Sequence, residues 1–271
     1  MKTIQLNATA SIPMLGFGTW QLTGEDCVKS VRLALQTGYR HIDTADKYGN
    51  HGEVAQGIKQ SGVPREDIFI TTKIWRTDLA KDVVPASCER FLQKLQIDYI
   101  DLLLIHWPNK DIPIGETLEA MNKLKETGKI KAMGVSNFTK HHLEDALKTG
   151  IEITNNQIEV HPSFKQEEMK AFCDEKRIAV TAYSPLGRGQ DIALPVIQEI
   201  ARKHSANPAQ VILAWLLSRG IIAIPKSDKQ EEIESNFKAP ELVLSKEDIA
   251  AINVVPQGPR LVNPEFAEWD Y

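Results

Sequence analysis

Cysteine is scarce. Cys27, Cys88 and Cys173 are odd in number, far apart and in no C-x-x-C spacing, which excludes a disulfide framework and a structural zinc site and fits a reducing cytoplasm. No sign of charge dominates. The 32 basic and 36 acidic residues give a formal charge of -4 without a polybasic cluster, so nucleic acid and anionic membranes drop out as partners. Long apolar runs are missing as well. The most hydrophobic stretch, "YIDLLLIHW", is broken by Asp101 and far too short to span a bilayer. The opening "MKTIQLNATASIPMLG" has no continuous apolar segment behind its single lysine, so no export signal is expected and a cytoplasmic location is. Without low-complexity tracts, long linkers or heptads, residues 1–271 read as one domain and as a monomer.

What is present is a rhythm. The short β-branched runs "RHID", "IFITTK", "YIDLLLIH", "KAMGVS", "NNQIEV", "IAVTAY" and "IIAIPK" recur with helical segments between them. Val28, Val31 and Leu35, then Val84, Cys88, Phe91, Leu92 and Leu95, then Leu118, Met121 and Leu124, fall at spacings of three and four, as a buried helix stripe requires. Gly38, Gly128 and Gly150 follow three such segments as stops. "MLGFGTW" supplies an eighth strand ahead of the seven, and "TIQLN" before it predicts a short N-terminal β-hairpin closing the floor. The expected fold is therefore α/β, a (β/α)8 TIM barrel. A doubly wound open sheet would want a glycine-rich phosphate turn, and "GFGTWQ" lacks its third glycine and a helix start.

Such barrels build their catalytic face at the C-terminal strand ends. Here those ends carry Asp43, Lys73, His106, Ser136 with Asn137, Gln157, Tyr183 and Lys226, while the strand interiors are apolar. Any one of them could simply be where a strand stops; a whole ring of them points to a site. Asp43 and Lys73 lie on neighbouring strands, so in a dry centre each can keep the other charged. On its own that would be a core ion pair. Tyr48, five positions after Asp43, adds a phenol whose pKa a neighbouring ammonium can lower toward the working range, making it a candidate general acid. His106, one strand further on, could orient a substrate oxygen. Trp20, Trp75 and Trp107 each lie at or just beyond a strand end, where three indoles would form an apolar collar about the mouth. Trp269 either folds over the same opening or anchors the tail.

In order, "GFGTW", "HIDTADKYGN", "TTKIW", "LLLIHWP", "GVSNF", "NQIEVHP", "AYSPLGRG" and "IPKS" resemble the aldo-keto reductases along essentially the whole chain. The tail "RLVNPEFAEWD" looks most like the bacterial branch of 2,5-diketo-D-gluconate and methylglyoxal reductases. The resemblance implies NAD(P)H-dependent reduction of a small carbonyl substrate, with a nicotinamide cofactor extended across the barrel mouth and Asp43, Tyr48, Lys73 and His106 as a catalytic tetrad. It further implies that Gly18, Thr19 and Trp20 border the cofactor and that Ser136, Asn137 and Gln157 bond the carboxamide. Tyr183 would stack on the nicotinamide, and Ser184, Pro185, Leu186 and Gly187 would cradle the pyrophosphate. Lys226 and Ser227 would hold a 2′-phosphate and Asn236 would touch adenine. One departure bears on the cofactor: the usual arginine six residues after the lysine is Glu232 here, a carboxylate that repels phosphate and can accept from a free ribose diol. NADPH is the expected cofactor, with NADH or dual use open and Lys229 able to restore the lost charge. His51, where a glutamate is common, is expected to lie outside the chemistry.

Other readings compete. A metal-dependent barrel hydrolase could use His41, Asp43, Lys73 and His106, but the chain has no H-x-H pair and no metal is expected. A Schiff-base aldolase would need an uncharged Lys73, against which Asp43 works. Some barrels of this kind sense nicotinamide without turnover, and the filled tetrad argues against that reading.

Overall fold

The computed structural model describes residues 2–271. A short antiparallel ladder, β1 (Thr3–Gln5) with β2 (Ser11–Pro13), opens the chain. Eight parallel strands follow: β3 (Phe17–Gly18), β4 (His41–Asp43), β5 (Phe69–Ile74), β6 (Ile100–Ile105), β7 (Ile130–Ser136), β8 (Asn155–Glu159), β9 (Ala179–Tyr183) and β10 (Ile222–Ala223). They pair strictly in sequence order. The sheet also meets itself: Leu15 bridges Ala223 in parallel, Gly16 N donates to Ala223 O at 2.9 Å and Gly18 N to Pro225 O at 3.0 Å. This is consistent with the expected (β/α)8 barrel. Gly18 makes the junction possible, because a Cβ there would lie 2.8 Å from the Ile224 carbonyl oxygen.

Helices lie between the strands because most carry one apolar stripe, and the helix over Pro208–Ser218 is buried nearly all round. In α1 (Gly24–Thr37), Cys27, Val28, Val31, Ala34 and Leu35 are buried, with Glu25 and Asp26 placed favourably in the first turn. Full burial of a side chain such as Leu35 contributes about 2 kcal/mol. Gly38 ends the helix at φ 122, and a Cβ there would run into the Phe237 ring at 2.6 Å. The other helices on the ring include α2 (His51–Ser61), α3 (Val83–Leu95), α4 (Ile114–Glu126), α5 (Lys140–Leu147) and α6 (Glu167–Glu175). Two helices rather than one, α7 (Pro195–Lys203) and α8 (Pro208–Ser218), precede β10; α9 (Gln230–Phe237) and α10 (Lys246–Asn253) follow it.

The main core lies between strands and helices, while a smaller cluster joins Leu6, Ala10 and Ile12 to Phe69, Leu102, Leu104, Ala132 and Ile222. One strand is shorter than its sequence pattern. "IIAIPK" pairs in register with β9 only at Ile222 and Ala223; Pro225 has no N–H to extend the bonds toward β3, and Lys226 is exposed beyond the end rather than closing the strand. Among the described residues, no helix is long and apolar enough to cross a membrane.

Candidate active site

The register of β4 and β5 sets Asp43 opposite Thr71, two residues before Lys73, so both long side chains reach the same end of the sheet. Asp43 is 1% exposed and Lys73 0%. Lys73 Nζ donates to Asp43 Oδ1 at 2.5 Å and to Thr44 O at 2.9 Å, and lies 3.4 Å from the Tyr48 hydroxyl. The short helical turn Asp46–Tyr48 that follows β4 brings the phenol back over the strand end. His106, just past β6, presents its ring edge to Tyr48 with 5.7 Å between ring centres. Its Nδ1 is buried with no hydrogen-bond partner. The four residues predicted from spacing thus converge.

Their charge states differ in one respect from the sequence expectation. Burial, and then the Asp43 carboxylate, push the Tyr48 phenol well above its usual range. Burial likewise lowers the Lys73 ammonium, with Asp43 working to retain its proton. His106 is held well below the ordinary imidazole range by burial and by Lys73, and is neutral near pH 7. Tyr48 accordingly keeps its proton in the free protein, and the ammonium 3.4 Å from its hydroxyl is placed to stabilise a phenolate there.

A second polar layer adjoins the first. Gln157 Nε2 donates to Asp43 Oδ2 at 2.7 Å, Ser136 Oγ to Gln157 O at 2.8 Å, and Asn137 Nδ2 to His106 O at 3.0 Å. The Tyr183 hydroxyl donates to Asn137 Oδ1 at 2.7 Å. Asn137, Ser184 and Arg188 all adopt positive φ, a strain that clusters at functional sites. After β9, Ser184, Pro185, Leu186 and Gly187 turn through hydrogen-bonded bends with Gly187 at φ 58. Side-chain amides, a flat aromatic ring and a glycine-bearing loop in succession fit a carboxamide, a nicotinamide face and a pyrophosphate. Thr19 is fully buried and its hydroxyl donates to Asp43 O, so with Gly18 it shapes the strand junction. At the far end, Ser227 and Asn236 are buried while Lys226 and Glu232 are exposed. Ser227 Oγ donates to Glu232 Oε2 at 2.7 Å, and Lys229 Nζ reaches Glu232 Oε1 at 3.0 Å.

Two of the three predicted collar residues meet, through an intermediary that sequence reasoning missed. Phe266 of the tail lies edge-on to Trp75 (5.6 Å) and Trp107 (5.3 Å), and Trp269 lies 5.3 Å from Trp107. Trp75 also abuts His106 at 5.3 Å. Trp20, 43% exposed, makes no such ring contact among the described residues and carries the Arg188 guanidinium over its face instead. Arg260, beside Tyr183 and stacked on Trp269, was missed too, as were Glu159, His161 and Asp191. A signal existed: Gln157, Glu159 and His161 alternate, and alternation places side chains on one face of an extended segment.

Among the described residues, no group of three or more His, Cys, Asp or Glu could hold a metal ion. A model of the Aldo/keto reductase family matches residues 14–190 and 191–255. The chain is 43% identical over 266 residues to the methylglyoxal reductase DkgB of Escherichia coli O157:H7, covering 96% of this chain and 100% of that protein. It is 42% identical over 266 residues to the glyoxal reductase of Bacillus subtilis (strain 168), covering 97% and 96% respectively. A crystal structure of an aldo/keto reductase from Brucella melitensis aligns with a TM-score of 0.89 at 43% identity, over 93% of this chain and 98% of that one. A family match across most of the chain, with near-complete coverage of these relatives, leads to one conclusion: the chain belongs to the aldo/keto reductase family.

Proposed function

We propose that this enzyme reduces aldehydes and ketones to alcohols at the site formed by Asp43, Tyr48, Lys73 and His106. The observation that carries the reading is the Lys73 ammonium, bonded to Asp43 and 3.4 Å from the Tyr48 hydroxyl. NAD(P)H, when bound, supplies the hydride. Tyr48 delivers the proton: as negative charge builds on the carbonyl oxygen, that oxygen becomes a strong enough base to take the phenolic hydrogen. Lys73 then faces the new phenolate, and Asp43 keeps Lys73 charged so that it can do so. Neutral His106 orients the oxygen without competing for the proton.

For the cofactor, Ser136, Asn137 and Gln157 would hold the carboxamide and Tyr183 the ring face. The loop Ser184, Pro185, Leu186 and Gly187 would hold the pyrophosphate, and Ser227 and Asn236 the adenosine end. NADPH is the expected cofactor, yet Glu232 occupies the Ser227 hydroxyl and the Lys229 ammonium, which supports use of NADH as well. Trp75, Trp107 and Phe266 make an apolar wall that suits small carbonyls: 2-oxoaldehydes such as methylglyoxal, keto sugar acids such as 2,5-diketo-D-gluconate, and simple aldehydes. The names of the relatives favour methylglyoxal. We further read residues 1–271 as one monomeric domain with the β1–β2 hairpin covering the barrel floor, a role supported by the packing of Ile12 with Phe69 and Leu102. Free buried Cys27, Cys88 and Cys173 fit a reducing cytoplasm.

The test is nicotinamide oxidation at 340 nm across a panel of carbonyls with each cofactor. Tyr48→Phe should retain nucleotide binding and lose about 10²- to 10⁴-fold in turnover. Unchanged turnover removes Tyr48 from the chemistry, and binding without oxidation by the parent protein makes it a sensor.

A further inference from the structure

Three charged residues that the proposed reaction does not use lie buried together beside the site. Glu159 ends β8, His161 follows it, and Asp191 begins the short turn Asp191–Ala193; they are 0%, 1% and 2% exposed. His161 Nδ1 is 2.9 Å from Asp191 Oδ2, and its Nε2 is 3.2 Å from Glu159 Oε1. Both carboxyl groups are already acceptors at each oxygen. Glu159 takes Leu261 N at 2.7 Å and Val262 N at 2.9 Å. Asp191 takes Ser163 N at 2.9 Å and the Ser163 hydroxyl at 2.6 Å. Against the opposing pull of burial, the bonds to Asp191 and Glu159 raise the His161 imidazole and lower both carboxyls, so ionised carboxylates accept from the two ring nitrogens of an imidazolium.

Burying three charges to hold two loops is costly where apolar side chains would serve, and such a triad is suited to fixing geometry. What it fixes is visible at each end. Glu159 grips the backbone just after Arg260, at the root of the tail that carries Phe266 to Trp75 and Trp107. Asp191 packs under the loop after β9 so closely that a Cβ on Gly187 would lie 2.7 Å from its Oδ1. One end belongs to the substrate side and the other to the cofactor side.

We infer that His161 is a positioning residue which, through Glu159 and Asp191, couples the loop Ser184–Gly187 to the tail beginning at Leu261, so that loosening either loosens both. The inference rests on the functional reading above only for what the two segments bind. Its test therefore has an arm that needs no ligand. Amide exchange in the free protein should show Glu159→Gln speeding exchange at Leu261 and Val262 and also in residues 184–190, while Asp191→Asn does the converse. Each effect should be about tenfold, the scale of one lost charge-assisted hydrogen bond. Adding either substitution to His161→Gln should leave the opposite segment no faster than His161→Gln alone. Ser163→Ala, which weakens the Asp191 end without removing a charge, should give a smaller effect of the same sign in both segments if the stronger variants fail to fold. Substitutions that loosen only their own segment overturn the coupling.

In the ligand-binding arm, both the nucleotide Kd and the carbonyl KM should rise in each single variant, by roughly the same tenfold scale. A rise in one constant alone, with turnover intact in the parent protein, sinks the coupling and leaves the functional reading standing. A parent protein that neither binds nucleotide nor reduces any carbonyl sinks the functional reading, and the exchange arm still decides the coupling.

Discussion

The Glu232 carboxylate accepts a hydrogen bond from the Ser227 hydroxyl at 2.7 Å, at the end of the site proposed above for the cofactor's adenosine. The Ser227 hydroxyl and then Lys229 hold that carboxylate below its usual range, so it is an anion at neutral pH. A phosphate arriving there meets a like charge and a donor already in use. Glu232→Arg should free Ser227 and add a fork of donors. The kcat/KM ratio for NADPH over NADH should rise about tenfold or more, the worth of a charged hydrogen bond. Parallel kinetics with both cofactors check this, and an unchanged ratio places the 2′ group elsewhere.

Lys73→Met should separate stability from chemistry. Removing the ammonium leaves Asp43 buried with only Gln157 as a side-chain donor, a defect that costs about 3–5 kcal/mol in comparable buried pairs. Adding Asp43→Asn removes the stranded charge, so urea midpoints for the double variant should recover while carbonyl reduction stays lost. Recovery of both would show that the pair serves folding alone.

The barrel was legible because each level of the sequence agreed with the next. Apolar runs gave strands, stripes at three and four gave helices, and polar residues at strand ends gave most of the candidate site. What stayed hidden depends on the return of distant chain. Phe266 meets Trp75 and Trp107 only because the tail crosses the mouth, and no local pattern encodes that crossing. The expected acidification of Tyr48 erred for a related reason. Pairing with Lys73 was readable from strand order, whereas full burial beside Asp43, which outweighs it, is a property of the packed site. The last strand was overdrawn because "IIAIPK" stays apolar up to Pro225, whereas the paired strand ends at Ala223.

Phe266→Ala should act on the substrate and not on the cofactor. The ring is 36% exposed, so its loss should lower stability by only about 1 kcal/mol, the scale of an aromatic pair. Its contacts with Trp75 and Trp107 define the apolar wall, so the carbonyl KM should rise severalfold, roughly as expected for about 1 kcal/mol of lost contact, while nucleotide Kd is unchanged because the grip of Glu159 on Leu261 and Val262 is left in place. Fluorescence titration with nucleotide and steady-state kinetics with methylglyoxal give the two readings. A rise in nucleotide Kd with an unchanged carbonyl KM would move Phe266 from the substrate wall to the cofactor cleft.

His51 predicts the direction of the acid response. Its ring is buried, bonded through Nε2 to Thr72 Oγ1 at 2.8 Å and set edge-on to Phe91. Burial first, then the charges of Lys94, Lys73 and Arg90, push its pKa down to about 3. Below the ordinary value of 6.5 the unfolded chain takes up a proton that the folded protein refuses, so this group lowers stability as pH falls toward 3 and has no effect above about 7. At pH 5 the penalty is about 2 kcal/mol. Buried His41, pushed down to about 4 chiefly by burial, adds a similar slope. His51→Gln can keep the bond to Thr72 while removing one titration. Urea unfolding at pH 7.5 and pH 5 should therefore show the variant losing less stability than the parent over that interval, by about the same 2 kcal/mol, even if its missing ring makes it weaker at pH 7.5. Equal losses in the two proteins would mean that the imidazole takes up its proton in the folded state.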